Sequence, residues 1–487
     1  MTLLPNRINS SILTDFIKRS IVFVLLSVVN AYAMAYENEA EIMFETNNGE
    51  KIGAYEGWIS VPENRQKSNS RTIKVNYVRF PATSSAARAA SPIVYLSGGP
   101  GGSGIGTAKD ERFPVFMAMR EFGDVIALDQ RGLDEGLLRC ESGQKIPYDK
   151  AITDARYTEL HKLALQECLA QWESEGVDIR GYTTQESAYD LDDLRQHFNA
   201  KKLTLWGISY GSHLALAALK VMEGRIDRVV LSSVEGLDQT IKMPSRTNDF
   251  FDRLQQAINK DDSLREAYPN LKQLIRDVHA QLDEAPLELE LTKGEKAIPI
   301  VFQKRDIQLI ASGLIADPKR ALMLLDLYKG IQAGETGFLV QLLSQHTDPR
   351  RSISFYGMSV AMDIASGITQ ARYEKVLDQV EVGLLEDRLN FGLDHFGDIP
   401  GIDLGDSFRQ APNSDVPVLI LSGTLDGRTY IESQEEAVKG LSNATLITVE
   451  NAGHNLFMSS PKVTQVIQQF MAKKAISRTH IKVDLAK

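Results

Sequence analysis

Apolar residues recur along the chain with two different periods, and the switches between them divide it into parts. Over residues 71–80, Ile73, Val75 and Tyr77 alternate with polar neighbours, the spacing of a half-buried strand. Residues 36–90 read as β-rich, with the small-residue segment 82–91 as a turn or loop. Short apolar runs follow: IVYL within 92–97, VIAL at 125–128, 203–206, and RVVLSS at 228–233. Runs this short, closed by Gly, Asp or Ser, predict buried strands. Helical spacing lies between them over 186–198 and 212–221. Strands alternating with helices predict an α/β fold, a mostly parallel sheet with helices on both faces.

The alternation stops near Glu235. From 236 to 410 the pattern is mostly helical, for example over 306–315, 318–331 and 360–382. It returns as a buried strand at 416–421, a helix at 432–441, a strand at 444–449 and a closing helix at 461–474. The simplest organisation is an α/β core in two parts, 36–235 and 411–487, interrupted by a helical cap at 236–410.

The first 35 residues read differently. Lys18 and Arg19 precede an apolar run at 21–29, and Ala31, Ala33 and Ala35 allow cleavage after Ala33 or Ala35. This is the outline of an export signal, which implies a periplasmic or extracellular protein. The run is shorter than the ~20 residues of a spanning helix, so membrane association requires that the segment stay uncleaved. Cys140 and Cys168 are the only cysteines. In an oxidising compartment they can form a disulfide; two separate buried thiols are the alternative. With 43% hydrophobic and 24% charged residues the 487-residue chain is ordinary for a globular protein. Its net charge of −10 and its lack of a basic stripe exclude nucleic acid as a partner. Oligomeric state leaves no mark in the sequence.

Gly207-Ile208-Ser209-Tyr210-Gly211 joins a predicted strand to a predicted helix. A sharp strand-to-helix turn strains such a serine, and the flanking glycines remove side chains that would clash there. The hydroxyl then projects at the positive end of a helix. A serine hydroxyl is a weak nucleophile at neutral pH and needs a base. Of the eight histidines, His454 follows the strand at 444–449, where the base arrives in the chain order Ser, Asp, His. His161, His197, His213, His279, His346, His395 and His480 read as packing or surface residues. Asp426 follows the strand ending at Leu421, whereas Asp415 precedes it. An acid there would hold the imidazole tautomer and stabilise the imidazolium. Backbone N–H groups of Tyr210 and of Gly99, in the glycine cluster 98–104, are the candidate oxyanion donors. Such acyl transfer needs no metal and no organic cofactor.

Gly99, Gly101 and Gly104 also satisfy the G-x-G-x-x-G outline of a dinucleotide site, with Asp129 at the end of the next strand. Pro100 argues against it, because it removes an amide where the pyrophosphate would bind.

SGGPGGSG (97–104), DQRG (129–132), GISYG (207–211), SGTLDGRT (422–429) and NAGHN (451–455) resemble, in order and spacing, the prolyl aminopeptidase and tripeptidyl aminopeptidase family of α/β-hydrolases. GMSVAMD (357–363) is similar to a cap segment of that family, with Met362 where cysteine is common. The resemblance implies an α/β-hydrolase fold with an inserted helical cap. It also implies release of a proline-like residue or a short peptide from the free amino end of a peptide substrate. In such enzymes acidic groups of the cap bind the substrate ammonium, a role for which Glu235, Asp238 and Asp363 stand here. Gly427 replaces a proline common after the acid, and Leu133-Asp134-Glu135 replaces a common Thr-Gly; both bear on the substrate rather than on the triad. Two alternatives remain from the sequence: a carboxylesterase or lipase-like hydrolase with the same triad, and a non-catalytic binding protein on this fold.

Overall fold

The apolar runs assemble into one ten-stranded sheet. Its order is β1 (Ala40–Glu45), β2 (Lys51–Pro62), β3 (Thr72–Phe80), β5 (Val125–Leu128), β4 (Ile93–Leu96), β7 (Leu203–Ser209), β8 (Ile226–Val234), β12 (Val418–Gly423), β13 (Ala444–Glu450) and β14 (His480–Lys482). β1, β2, β3 and β5 pair antiparallel, and every pair from β5–β4 onward is parallel. This computed structural model describes residues 36–134, 138–392 and 396–485. The segment read as an export signal, together with Glu135 and His395, lies outside the described residues.

The central strands are buried on both faces, as their unbroken apolar runs require. On one face Val94, Leu205, Leu231 and Ile420 pack against Leu191, Leu194 and Leu214 from the helices Thr184–His197 and Tyr210–Met222. On the other, Tyr95, Trp206, Val230 and Leu421 meet Phe116, Phe457 and Ile467. Each such aliphatic side chain stabilises the fold by about 1.5–3 kcal/mol. The strands β4, β7, β12 and β13 all end at the same carboxyl edge, where ligands of open α/β sheets bind.

Between β8 and β12 the chain forms the helices Pro244–Ile258, Leu271–Glu284, Lys304–Leu314, Pro318–Ala333, Gly337–His346, Gly357–Ser366 and Gln370–Leu377. Their core, around Phe250, Leu271, Ile275 and Leu324, also takes in Leu425 and Tyr430 from the loop after β12. The pattern here differs from expectation in two places. A hairpin of β9 (Leu287–Lys293) and β10 (Lys296–Phe302) interrupts the helices. The helix expected over 360–382 is broken at Gly367, whose φ of 55° does not continue a helix. Within 82–91 a short helix, Ser85–Arg88, replaces the expected loop because Ser84 Oγ accepts the Ala87 N–H at 3.1 Å.

Cys140 and Cys168 are disulfide-bonded, with their Cα atoms 5.6 Å apart, so the alternative of separate thiols is set aside. The bond ties β6 (Arg139–Glu141) to the helix Asp154–Ser174. β6 pairs with β11 (Ser354–Tyr356), which leads directly into the helix Gly357–Ser366.

Candidate active site

Ser209 ends β7 and immediately precedes the helix Tyr210–Met222. Its φ of 54° and ψ of −128° are unfavourable for a residue with a Cβ. The strain holds because the turn is wedged under the neighbouring strand. A Cβ on Gly211 would lie 2.0 Å from Leu96 O, so only glycine lets the helix start so close to β4. The helix therefore begins at Tyr210 rather than at 212, and its N-terminal N–H groups surround the serine.

Asp426 and His454 meet on the loops that leave β12 and β13. His454 Nδ1 lies 3.0 Å from both carboxylate oxygens of Asp426. With Nδ1 facing a carboxylate, the proton sits there and Nε2 is left as an acceptor. Asp426 is fully buried and also accepts Arg428 N–H at 2.8 Å, Thr429 N–H at 2.9 Å and Thr429 Oγ1–H at 2.7 Å. Burial pushes its carboxyl up, but His454 and Thr429 more than offset this and hold it below the ordinary carboxylate value. Ser233 Oγ donates to His454 O at 2.8 Å, which ties the His454 loop to β8. Ser209 and His454 line one groove of about 450 Å³. No hydrogen bond joins Ser209 Oγ to the imidazole here, a looseness common before substrate draws such a pair together.

The glycine cluster forms the other wall of that groove. Gly99, with φ 124°, sits beside the serine turn, and Tyr210 is the first residue of the helix after it. Gln130 Nε2 donates to Ser97 O at 3.0 Å, and Ser359 Oγ of the cap donates to Pro100 O at 2.9 Å. Asp129 accepts Ser103 Oγ–H at 2.7 Å and Ile105 N–H at 3.0 Å. It caps the helix that follows the glycines and does not stand free for a ribose, which removes the support for a dinucleotide site. Arg131, fully buried, binds both oxygens of Asp190 and the carbonyls of Glu63 and Gly181. The DQRG segment is thus a brace for the loop.

Comparison with known proteins agrees with this layout. Residues 91–287 match the family described as alpha/beta hydrolase fold, and residues 405–481 match the one described as TAP-like protein. The chain has the α/β-hydrolase fold, and its C-terminal part is similar to the TAP-like family. It is 26% identical over 221 residues to the tripeptidyl aminopeptidase of Streptomyces lividans, covering 40% of each chain. It is likewise 26% identical over 187 residues to the serine protease Hip1 of Mycobacterium bovis, covering 37% of this chain and 35% of that one. The hydrolase therefore spans about 40% of the length of the first of these relatives.

A second space opens on the other side of the hydrolase's serine. It is a cavity of about 60 Å³ lined by Gly99, Ser209, Glu235, Thr240, Lys242, Asp363, Leu389, Arg428 and Thr429. Gly99 and Ser209 border both this cavity and the groove. Two of the three acids expected to bind an ammonium, Glu235 and Asp363, thus face the serine. Asp238 does not. Its carboxylate accepts Thr369 N–H and Thr369 Oγ1–H, each at 2.7 Å, and so caps the helix Gln370–Leu377. Its expected role is corrected accordingly: both oxygens are already used in the cap's own fold. Burial, then the neighbouring charge of Glu235, push the Asp363 carboxyl well above the ordinary value, while Lys242 and Arg428 pull it down.

Lys242 and the cap backbone at Ile315 and Ala316 lie outside every motif, and Arg428 and Thr429, at the end of SGTLDGRT, were not singled out within theirs. His454 N–H donates to Ala316 O at 2.8 Å. A Cβ on Gly427 would lie 2.3 Å from Ile315 O, which explains glycine in place of the family's usual proline. Arg428 Nη1 donates to Ser312 O at 2.9 Å. The cap thus touches the loops of both Asp426 and His454. Among the described residues no group of His, Cys, Asp and Glu is arranged to hold a metal ion, and no helix is long and apolar enough to cross a membrane.

Proposed function

We propose that this hydrolase is a serine aminopeptidase that releases a proline-like residue or a short peptide from the free amino end of a peptide, through an acyl-enzyme. One observation carries the reading: an Asp426–His454 pair facing the groove that also holds the strained Ser209. The names of its relatives, a tripeptidyl aminopeptidase and a serine protease, support a peptide as substrate.

Ser209 Oγ attacks the scissile carbonyl while His454 Nε2 takes its proton. Asp426 orients the ring and stabilises the imidazolium. The N–H groups of Gly99 and Tyr210 receive the oxyanion. His454 returns the proton to the leaving amine, and a water, deprotonated by the same imidazole, releases the acyl group. The acyl side lies in the cavity with Glu235 and Asp363, so a substrate ammonium meets carboxylates there. The leaving peptide lies along the open groove. Export completes the proposal: residues 1–35 direct the chain out, and the Cys140–Cys168 bond suits an oxidising compartment.

Labelling with a fluorophosphonate tests the chemistry. The wild type should react and Ser209→Ala should not, while turnover falls on the order of 10⁴–10⁶-fold. Undiminished turnover by Ser209→Ala would overturn the mechanism. Aminoacyl-anilides, their N-acetylated forms and short acyl esters test the substrate. A preference for esters that ignores the free amine would favour a carboxylesterase instead.

A further inference from the structure

Glu235 and Asp363 share one cavity but not one electrical situation. Glu235 Oε1 lies 3.2 Å from Lys242 Nζ, and both side chains are close to buried. The lysine is fixed in place. Its Nζ also donates to Gln239 O at 2.8 Å, and its backbone is clasped by Asn390, which accepts Lys242 N–H at 2.6 Å and donates to Lys242 O at 2.8 Å. Asp363 is different. Its carboxyl group makes no hydrogen bond or ion pair among the described residues, and burial, then the charge of Glu235, push it well above the ordinary value. Arg428 borders the same cavity, but its guanidinium is held by Ser312 O.

A carboxylate already paired with a fixed ammonium is a poor receptor for a second one, because the two cations would repel each other at short range. A carboxylate that faces a cavity without a partner is a good receptor, since an arriving ammonium supplies the charge and the donors that it lacks. We propose that Lys242 sets the specificity of this cavity: it occupies Glu235 as a resident counter-ion and leaves Asp363 as the carboxylate that receives the substrate's ammonium. The inference rests on the aminopeptidase reading and names which acid does the recognising. Lys242 does not touch the reacting atoms; it acts through Glu235, as a positioning residue. Glu235, Lys242, Arg428 and Thr429 also border a void of only about 10 Å³ on their far side, so the pair forms a wall of the cavity with no room behind it for a second ammonium.

Calorimetric titration of the full chain decides the matter with prolinamide, which carries a free ammonium, and N-acetylprolinamide, which does not. Prolinamide should bind the wild type and the acetylated form should not. The double variant Glu235→Gln with Lys242→Met removes the internal pair and should keep prolinamide affinity within about threefold, because that pair is already neutral as a unit. Asp363→Asn should lose more than about tenfold, the worth of a charge-assisted hydrogen bond. Lys242→Arg, which keeps the counter-ion, should match the wild type. Asp363→Asn is isosteric and removes a carboxylate without a partner, and its melting curve checks that it folds. The inference is overturned if the double variant loses as much affinity as Asp363→Asn, if Asp363→Asn binds like the wild type, or if the wild type binds both amides alike or neither. Binding needs no turnover, so a failure of Ser209 labelling would sink the proposed chemistry alone, whereas a wrong affinity pattern would sink this assignment alone.

Discussion

Thr429 shows how much of the site rests on a residue without chemistry of its own. Its hydroxyl and its N–H both point at Asp426, and with Arg428 N–H they keep that buried carboxylate ionised and aimed at His454. Thr429→Val should lower kcat by about tenfold with little change in KM, since a hydrogen bond to a charged group is worth about 1.5–3 kcal/mol. Steady-state kinetics reads this directly, and an effect confined to KM would count against it. Asp426→Asn should fall further, by about 10⁴-fold, because the imidazole loses its tautomer. At this scale the sequence located the turns that the structure has: Ser209 between glycines at the end of a strand, and Asp426 and His454 on loops just after strands. It did not single out Lys242 or Thr429: a lysine and a threonine close in the chain to Glu235 and Asp426 show no partner until the fold sets their side chains together. It misled at Asp238, because an acid in a cap that bonds Thr369 looks no different, in sequence, from an acid that awaits a ligand.

The elements show the same division between what repeats and what does not. Central strands were legible because a short, unbroken apolar run bounded by turn residues fits little besides a strand covered on both faces. The β9–β10 hairpin also had its signal, Leu289 and Leu291 alternating with glutamates before Gly294, but it lay within a long helical stretch. After the break at Gly367 the next helix, Gln370–Leu377, starts at Thr369, which Asp238, far away in the chain, holds through its N–H and hydroxyl. A prediction belongs to the disulfide. It closes a loop across a sequence separation of 28, for which chain entropy gives about 3–4 kcal/mol of stabilisation. Cys140→Ser with Cys168→Ser should lower stability by about that amount in denaturant titration. Because Cys140 pairs with Phe355 just before the helix that carries Asp363, loss of the bond should also raise KM for aminoacyl substrates more than it lowers kcat. Kinetics with and without reductant would reveal an unchanged KM if the two were unconnected.

For the molecule as a whole, the two-part core and the insertion were visible as a change of period, but the docking between them was not. The cap grips the loops of Asp426 and His454 through carbonyls of Ser312 and Ala316, which accept from Arg428 and from His454 N–H, and a carbonyl is the same in every residue. The cap itself has a pH dependence. His279, in the cap core, hydrogen-bonds Tyr328, and burial pushes its imidazole down to about 4. A group whose folded value lies below its unfolded value of about 6.5 binds fewer protons when folded, so its support is complete above about 6.5 and is lost as pH falls through about 4. Between these limits the wild type should lose more stability than His279→Gln, as thermal melts at stepped pH would show. Parallel slopes for the two proteins would refute the assignment.

The place of the insertion bears on how the protein is made. β8 ends at Val234 and its partner β12 begins at Val418, so one edge of the growing sheet leaves the ribosome long before the strand that covers it. At about 5–20 residues per second the wait lasts on the order of ten to forty seconds. Through that interval β8 offers an uncovered row of amides and carbonyls, open to any stray strand. A message cut short inside the insertion would yield a polypeptide with its Ser209 turn but without Asp426 and His454, and with β8 still adhesive.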